Sequence, residues 1–226
     1  MNERLEPLIK NLASLGFGEH AIQLLRLYHC LQLCRFTIRT GITKGGDRLN
    51  LHLYFEQNEN SFALLYYDAI LRKEIHLPKQ VVSQGEVMQL VRNMEAINWK
   101  DLFAEDNILS SQQEETVYAI MGSLKTLDAD PGTKELASAM RVRYWADTAL
   151  QEIFSLSALK TRFEIAQRFY FFEDQPSVGV EEAYLFLNNR WMEKQLHAKS
   201  KPVDSPFLVQ TKPRKRKIKK KRDAAG

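Results

Sequence analysis

The sequence lacks several features that would place it in a common functional class. It has two cysteines, and no apolar run approaches the roughly 20 residues that span a membrane. A glycine-rich phosphate loop, a Gly-x-Ser-x-Gly elbow and a His-Glu-x-x-His motif are all absent from it. The first four residues do not have the charged-then-apolar order of a signal peptide. We therefore expect a cytoplasmic protein (nuclear if the source is eukaryotic) without a membrane span or a cofactor.

The two cysteines, Cys30 and Cys34, are too few for a disulfide framework. Their spacing places both on one face of a helix predicted over residues 19–34. His29 is adjacent, but structural zinc needs four ligands, which usually come from pairs separated by loops. A reduced thiol behaves as a small apolar residue, so we expect both cysteines to pack against the core and to bind no metal.

Charge is divided unevenly along the chain. The formal net charge is +4, but nine of the 32 basic residues lie between residues 212 and 222. The 211 residues before this run carry 23 basic and 27 acidic side chains, so their net charge is −4. Prolines at 202, 206 and 213 interrupt the segment around the start of the run. These features predict a folded acidic body and a flexible basic tail over residues 199–226.

The basic run is the clearest functional signal in the sequence. Closely spaced lysines and arginines attract polyphosphate and release its counterions without needing a fold, so we predict sequence-independent binding of nucleic acid. The predicted contact residues are Lys212, Arg214, Lys215, Arg216, Lys217, Lys219, Lys220, Lys221 and Arg222. An acidic protein partner, an anionic membrane surface, a nuclear-import signal and a solubilising role are alternatives. No aromatic residue interleaves with these charges, so the tail is not expected to stack on bases.

Residues 36–77 predict an antiparallel β-meander. Between residues 49 and 55, leucine or phenylalanine alternates with polar or aromatic residues, which is the period of two that a half-buried strand requires. Gly45 and Gly46 supply the turn before this strand, because glycine reaches positive φ at no steric cost. The segment 61–71 is apolar on both faces and is therefore expected to lie centrally in the sheet.

Helical periodicity predicts two helices before the meander, one covering helix after it, and an all-helical second half. One helix is expected over residues 157–172, where the aromatic run 169–172 is interpreted as core. The predicted class is α+β: a small antiparallel β-meander packed with helices, an all-helical C-terminal half and a disordered basic tail. We divide the chain into an α+β domain (1–104), a helical domain or subdomain (105–198) and the tail (199–226).

Arg190 and His197 lie seven residues apart, on nearly one face of the last predicted helix. The pair resembles the Arg-x(4–6)-His signature of the HEPN ribonucleases, in which it meets its symmetry mate across a helical dimer and cleaves RNA. Trp191 follows the arginine, where that family usually has a polar residue. A solvated helix face is the alternative interpretation.

Three stretches, Leu15–Glu19, Leu64–Leu71 and Val180–Leu185, resemble in this order parts of uncharacterised bacterial proteins often encoded on conjugative or other mobile elements. The resemblance implies a cytoplasmic protein that works near DNA-processing machinery. It implies no reaction and no site residues.

The leading hypothesis from the sequence is a non-enzymatic accessory protein that associates with nucleic acid, or with a nucleoprotein complex, through its basic tail. Two alternatives stay open. One is a protein-interaction adaptor whose body is the working surface and whose tail is incidental. The other is a HEPN-like ribonuclease that uses Arg190 and His197. The sequence does not fix the oligomeric state.

Overall fold

The computed structural model describes residues 5–58, 61–77, 85–102, 109–172 and 176–200. The helices are α1 (Glu6–Ser14), α2 (Glu19–Cys30), α3 (Gly85–Ala96), α4 (Ser111–Ala129), α5 (Lys134–Trp145), α6 (Leu150–Ile153), α7 (Ser157–Lys160) and α8 (Val180–Ser200). The strands are β1 (Arg35–Lys44), β2 (Asp47–Asn58), β3 (Ser61–Arg72) and β4 (Glu164–Tyr170). The predicted α+β class is confirmed. No helix within these ranges is long and apolar enough to cross a membrane.

The four strands form one antiparallel sheet in the order β1-β2-β3-β4. Its first three strands are the predicted meander, and β3 lies between two neighbours as its two apolar faces predict. Gly45 and Gly46 make the β1–β2 turn with φ of 57° and 88°, the positive values that such a two-residue turn requires. A bulge after Tyr54 leaves Leu65 of β3 without a residue opposite it in β2.

β4 shows that the helix predicted over residues 157–172 is wrong. Helical structure there is limited to α7, and Glu164–Tyr170 pairs antiparallel with β3. The sequence fits both periods. Apolar residues recur at helical spacing, and apolar residues also occupy alternate positions, interrupted by Gln167, namely Phe163, Ile165, Phe169 and Phe171. Pairing with β3 satisfies the hydrogen-bonding groups on its second edge, which a helix at this position would leave exposed. Among the described residues of the C-terminal half, β4 is the one strand and the other elements are helices.

One face of the sheet is apolar and packs against α1, α2 and α8. The buried strand residues on this face include Ile38, Leu49, Leu51, Leu53, Phe55, Tyr67, Ala69 and Leu71. A second buried cluster joins α3, α4 and α5 and contains Trp99 and Trp145. Because α3 belongs to the second cluster and α8 to the first, packing joins segments from both sides of residue 104. The predicted boundary at 104 lies outside the described residues, and the division into domains stays a prediction.

A polar network around Asp47 attaches α8 to the sheet. Asp47 is buried, and its carboxylate accepts hydrogen bonds from the Tyr184 hydroxyl (3.0 Å), the Glu74 backbone N–H (2.9 Å) and the Lys73 ammonium. Lys73 also donates to Asn188 of α8 at 3.0 Å. Burial acts to raise the pKa of Asp47, but these hydrogen bonds outweigh it and the pKa is lowered. The network joins the β1–β2 turn, the end of β3 and α8.

The end of α2 corrects the expectation for the cysteines. The helix stops at Cys30, and Gln32 has a positive φ of 54°. The chain turns there so that Arg35 can begin pairing with β2. Cys34 therefore lies beyond the helix, and both thiols are free and exposed rather than packed in the core.

Candidate nucleic-acid interface on the sheet

The second face of the sheet carries polar and aromatic side chains in transverse rows that the strand register fixes. Residues directly opposite each other on neighbouring strands point to the same face, so each row crosses the sheet. The aromatic row consists of Thr37, Tyr54, Tyr66 and Tyr170. The polar row, two residues away from the aromatic row on each strand, consists of Arg39, His52, Asp68 and Arg168.

The three tyrosines of the aromatic row form a ladder of rings. The Tyr54 and Tyr66 rings are stacked, with centroids 4.4 Å apart and an interplanar angle of 28°. The Tyr170 ring follows at 5.7 Å from Tyr66, and its residue is 55% exposed. Phe172 extends the ladder, stacked 6.1 Å from Tyr170. Aromatic faces accept nucleobases with little sequence preference, because every base has a π-face.

Arg168 fixes a positive charge over this ladder. Its guanidinium carbon lies 4.1 Å from the Tyr66 ring centroid and 5.9 Å from that of Tyr54, within cation–π range. The same group donates two hydrogen bonds to the Asp68 carboxylate, at 2.7 Å and 3.0 Å. The Asp68 hydrogen bonds raise the pKa of Arg168, so the arginine stays charged and in place.

A cavity of about 360 Å³ borders the ladder at the β1 side of the sheet. Arg35, Thr37, Tyr54 and Tyr66 are among the residues that line it. Thr37 is the β1 member of the aromatic row and has no ring. The ladder therefore stops one strand short of the sheet edge, beside an open space next to Tyr54.

A second cavity, of about 640 Å³, begins at Arg39 and His52 of the polar row and extends away from the aromatic row. We call it the arginine cavity, and it is lined by His20, Arg39, Thr40, Gly41, Arg48, Asn50, His52, Ile70, Asp147, Thr148, Gln151 and Lys160. Arg39 is exposed, and in the described part of the chain neither Arg39 nor Arg48 forms an ion pair with a carboxylate. The acidic body therefore contains a local excess of positive charge here.

The carboxylates near the arginine cavity are already engaged. Arg72 forms an ion pair with Asp147 and lies 3.6 Å from Glu164, while Lys160 lies 3.4 Å from Glu164 and 4.0 Å from Asp147. Burial raises the pKa of Glu164. Burial acts in the same direction on Asp147, but the hydrogen bond and charge of Arg72 outweigh it and its pKa is lowered. This network joins the sheet to the segment that carries α6 and α7.

The residues that the sequence singled out lie elsewhere. Arg190 and His197 are both exposed on α8, and the Arg190 guanidinium donates to the Gln167 side chain of β4 at 3.2 Å. Their catalytic role stays a prediction. The nine basic residues between 212 and 222 lie outside the described residues. Within the described ranges, no group of three or more His, Cys, Asp or Glu side chains is placed to hold a metal ion.

Sequence reasoning missed the aromatic row. The run 169–172 was expected to be core, but in β4 and just after it the side chains alternate. Phe169 and Phe171 pack against the buried cluster between the sheet and α1, α2 and α8, whereas Tyr170 and Phe172 are exposed. Tyr54 and Tyr66 occupy outward positions of their strands, and only the register brings them opposite each other and Tyr170.

Comparisons of the chain with protein-family models, with curated proteins and with solved structures found no significant match, so any function assigned to it rests on its own residues.

Proposed function

We propose that this protein is a non-enzymatic accessory protein that binds single-stranded nucleic acid, with its basic tail attracting the backbone and the aromatic row stacking on bases. The observation that supports the proposal most strongly is the ladder of the Tyr54, Tyr66 and Tyr170 rings, in which Tyr54 and Tyr66 are stacked and Arg168 lies over Tyr66. Cations combined with stacking faces are the usual means of binding single strands. A role near the DNA-processing machinery of mobile elements is part of the proposal.

The basic tail and the aromatic row contribute different interactions. The tail supplies long-range attraction that depends on salt and not on sequence, because it releases counterions from phosphates. The aromatic row supplies short-range stacking, which is worth about 1–3 kcal/mol per base. Base faces are accessible only when a strand is unpaired, so the row favours single strands while the tail also accepts duplex.

Fluorescence anisotropy with labelled oligothymidylate tests the role of the aromatic row. We expect Tyr54→Ala and Tyr170→Ala each to weaken single-strand binding by about 5-fold or more, the lower end of the stacking energy. Duplex binding should change little, because the tail is intact. Tyr118→Ala is the matched control. Tyr118 is 78% exposed on α4, a helix that packs in the second buried cluster and not against the sheet face that carries the aromatic row. Equal losses in Tyr54→Ala and Tyr118→Ala would contradict the role of the row.

Deletion of residues 212–226 tests the tail. The deletion should weaken binding of both single and double strands at low salt. The slope of log K against log salt should flatten by about 0.7 for each single-strand phosphate contact that is lost. Unchanged affinity and slope after the deletion would refute the tail part of the proposal, and the Tyr54→Ala result would then stand alone.

A protein-interaction adaptor is the second candidate, and one observation favours it. One face of α8 exposes three large apolar side chains, namely Leu185, Met192 and Leu196. Contiguous exposed apolar surface often marks a protein-binding site. Co-purification of a stoichiometric partner that depends on Met192 and Leu196 but not on the tail would support this function over nucleic-acid binding.

The ribonuclease hypothesis has its own test. Purified protein should cleave RNA, and His197→Ala should abolish cleavage without changing strand affinity. Absence of cleavage by the unmodified chain would leave this hypothesis without support.

A further inference from the structure

We infer that the arginine cavity binds the terminal phosphate monoester of a nucleic-acid strand whose bases lie on the aromatic row. This inference rests on the proposed function and adds a specific ligand group and a specific location for it. Its evidence is the charge, the construction and the position of the cavity.

The charge of the cavity matches that of a phosphate monoester. Among its described lining residues, Asp147 is the one carboxylate, and Arg72 and Lys160 already neutralise it. Neither Arg39 nor Arg48 forms an ion pair with a carboxylate in the described ranges, although the charge of Arg48 acts on Asp147 from a distance. A phosphate monoester carries about −1.5 to −2 at neutral pH, whereas an internal phosphodiester carries a single charge. Two arginines without an ion-pair partner in the described ranges therefore favour the monoester.

Arg48 is held in position before any ligand arrives. Its Nε donates to Asn50 Oδ1 at 3.2 Å and its Nη1 to Thr43 Oγ1 at 3.4 Å. Gly41, opposite Asn50 on β1, leaves the space for this arrangement, since a Cβ at that position would lie 2.9 Å from Asn50 Oδ1. Guanidinium groups bind phosphate through paired N–H donors, and a preorganised guanidinium loses less entropy on binding.

The position of the cavity suits the end of a bound nucleic-acid strand. Arg39 is two residues along β1 from Thr37 of the aromatic row, a distance of about 7 Å at 3.4 Å per residue. A phosphate there is within reach of a nucleotide whose base stacks beside Tyr54. Thr148, Gln151 and Lys160 complete the lining, and they belong to the segment that the Arg72–Asp147 ion pair attaches to the sheet. A nucleic-acid strand that runs along the sheet face from the aromatic row therefore reaches this segment at the cavity.

The volume also fits. The cavity measures about 640 Å³, within the range of about 300–1,000 Å³ that small-molecule sites occupy. It is large enough for a terminal phosphate together with its sugar, and its lining is mainly polar. An apolar ligand would leave the two arginine charges unpaired.

Competition binding with the full chain tests the inference. The probe is an internally labelled oligothymidylate, and the competitors are the same strand with a 5′-phosphate, with a 3′-phosphate, and with hydroxyls at both ends. We expect one phosphorylated strand to compete about tenfold better than the hydroxyl strand, from new charge-assisted hydrogen bonds. Arg39→Gln and Arg48→Gln should each reduce this preference, and the double variant should remove it. Arg92→Gln, at an exposed arginine of α3, is the control and should keep it.

Each outcome decides the inference. Equal competition by all three strands overturns it, as does a preference that survives in the double variant, since the unaltered tail would then be its source. Thymidine monophosphate that competes as well as the phosphorylated strand assigns the cavity to a free ligand and overturns the strand-end assignment. In each case, hydroxyl-strand binding that depends on Tyr54 still supports the proposed function. If the full chain does not bind the strand with hydroxyls at both ends, the proposed function itself is refuted.

Discussion

Substitution of Asp47 by asparagine should destabilise the fold by removing the centre of the network that holds α8 on the sheet. The substitution keeps the size and one acceptor oxygen of the side chain, so it opens no cavity. It removes the negative charge that Lys73 contacts. With the amide oxygen kept on the Glu74 N–H, the amide nitrogen takes the place of Oδ2, which accepts hydrogen bonds from both Lys73 and Tyr184. Loss of fold stability then reports on the polar network rather than on packing.

The structure gives the expected magnitude. Breaking one side of a buried ion pair costs about 3–5 kcal/mol, and a hydrogen bond to a charged group contributes about 1.5–3 kcal/mol. The Asp47 side chain is 7% exposed but that of Lys73 is 25% exposed, so water partly solvates the ammonium. We therefore expect a loss of about 2–3 kcal/mol at neutral pH. Because folding lowers the pKa of Asp47, its contribution is present above its usual pKa of 3.8 and is lost as pH falls through the folded value.

Urea unfolding of the full chain, followed by circular dichroism at several pH values, measures this effect. Glu181→Gln is the matched control, because Glu181 also joins α8 to the β1–β2 turn, through Lys44, but both side chains are largely exposed. Such a pair contributes less than about 1 kcal/mol. The difference in the free energy of unfolding between the wild-type chain and Asp47→Asn should disappear as the pH falls below 3.8. The reasoning would be refuted if Asp47→Asn lost no more free energy of unfolding than Glu181→Gln, or if its difference from the wild-type chain persisted in acid.

The Tyr67 hydrogen bond, the Arg72 ion pair and the titration of His52 can each be tested. Tyr67→Phe should cost about 1 kcal/mol in urea unfolding, because the buried hydroxyl donates to a backbone carbonyl at 2.9 Å; no loss would show that water replaces this bond. Arg72→Met should cost about 2–3 kcal/mol, since it leaves the partly buried Asp147 with a weaker partner, and a value under 0.5 kcal/mol would contradict the network. NMR titration should place the pKa of His52 below 6.5, because burial and then the charge of Arg39 lower it against the opposing charges of Asp68 and Asp147. Arg39→Gln should raise the pKa of His52, because it removes a nearby positive charge, and binding of the phosphorylated strand should raise it by adding negative charge. If neither change altered this pKa, the placement of Arg39 and of the bound phosphate would be contradicted.

The candidate site was only partly accessible from the sequence. The alternation along β1, β2 and β3 identifies which residues point away from the core, so the outward direction of Tyr54 and Tyr66 is readable. The sequence does not give the register, which depends on the bulge after Tyr54 and on the length of each turn. It also does not show that β4 completes the row, because that pairing joins residues about a hundred positions apart along the chain. The ladder and the arginine cavity both depend on this information.

By itself, the sequence determined the α+β class, the three-stranded meander with its glycine turn, and the concentration of positive charge after residue 211. Each of these follows from local periodicity, local turn chemistry or composition, and none requires contact between distant segments. Tertiary structure alone decided that 164–170 is a strand, that α8 packs on the sheet, and that three tyrosines and two unpaired arginines share one face. These features arise from long-range strand pairing and burial, and a segment whose apolar residues fit both periods, such as 157–172, takes its conformation from its neighbours in space.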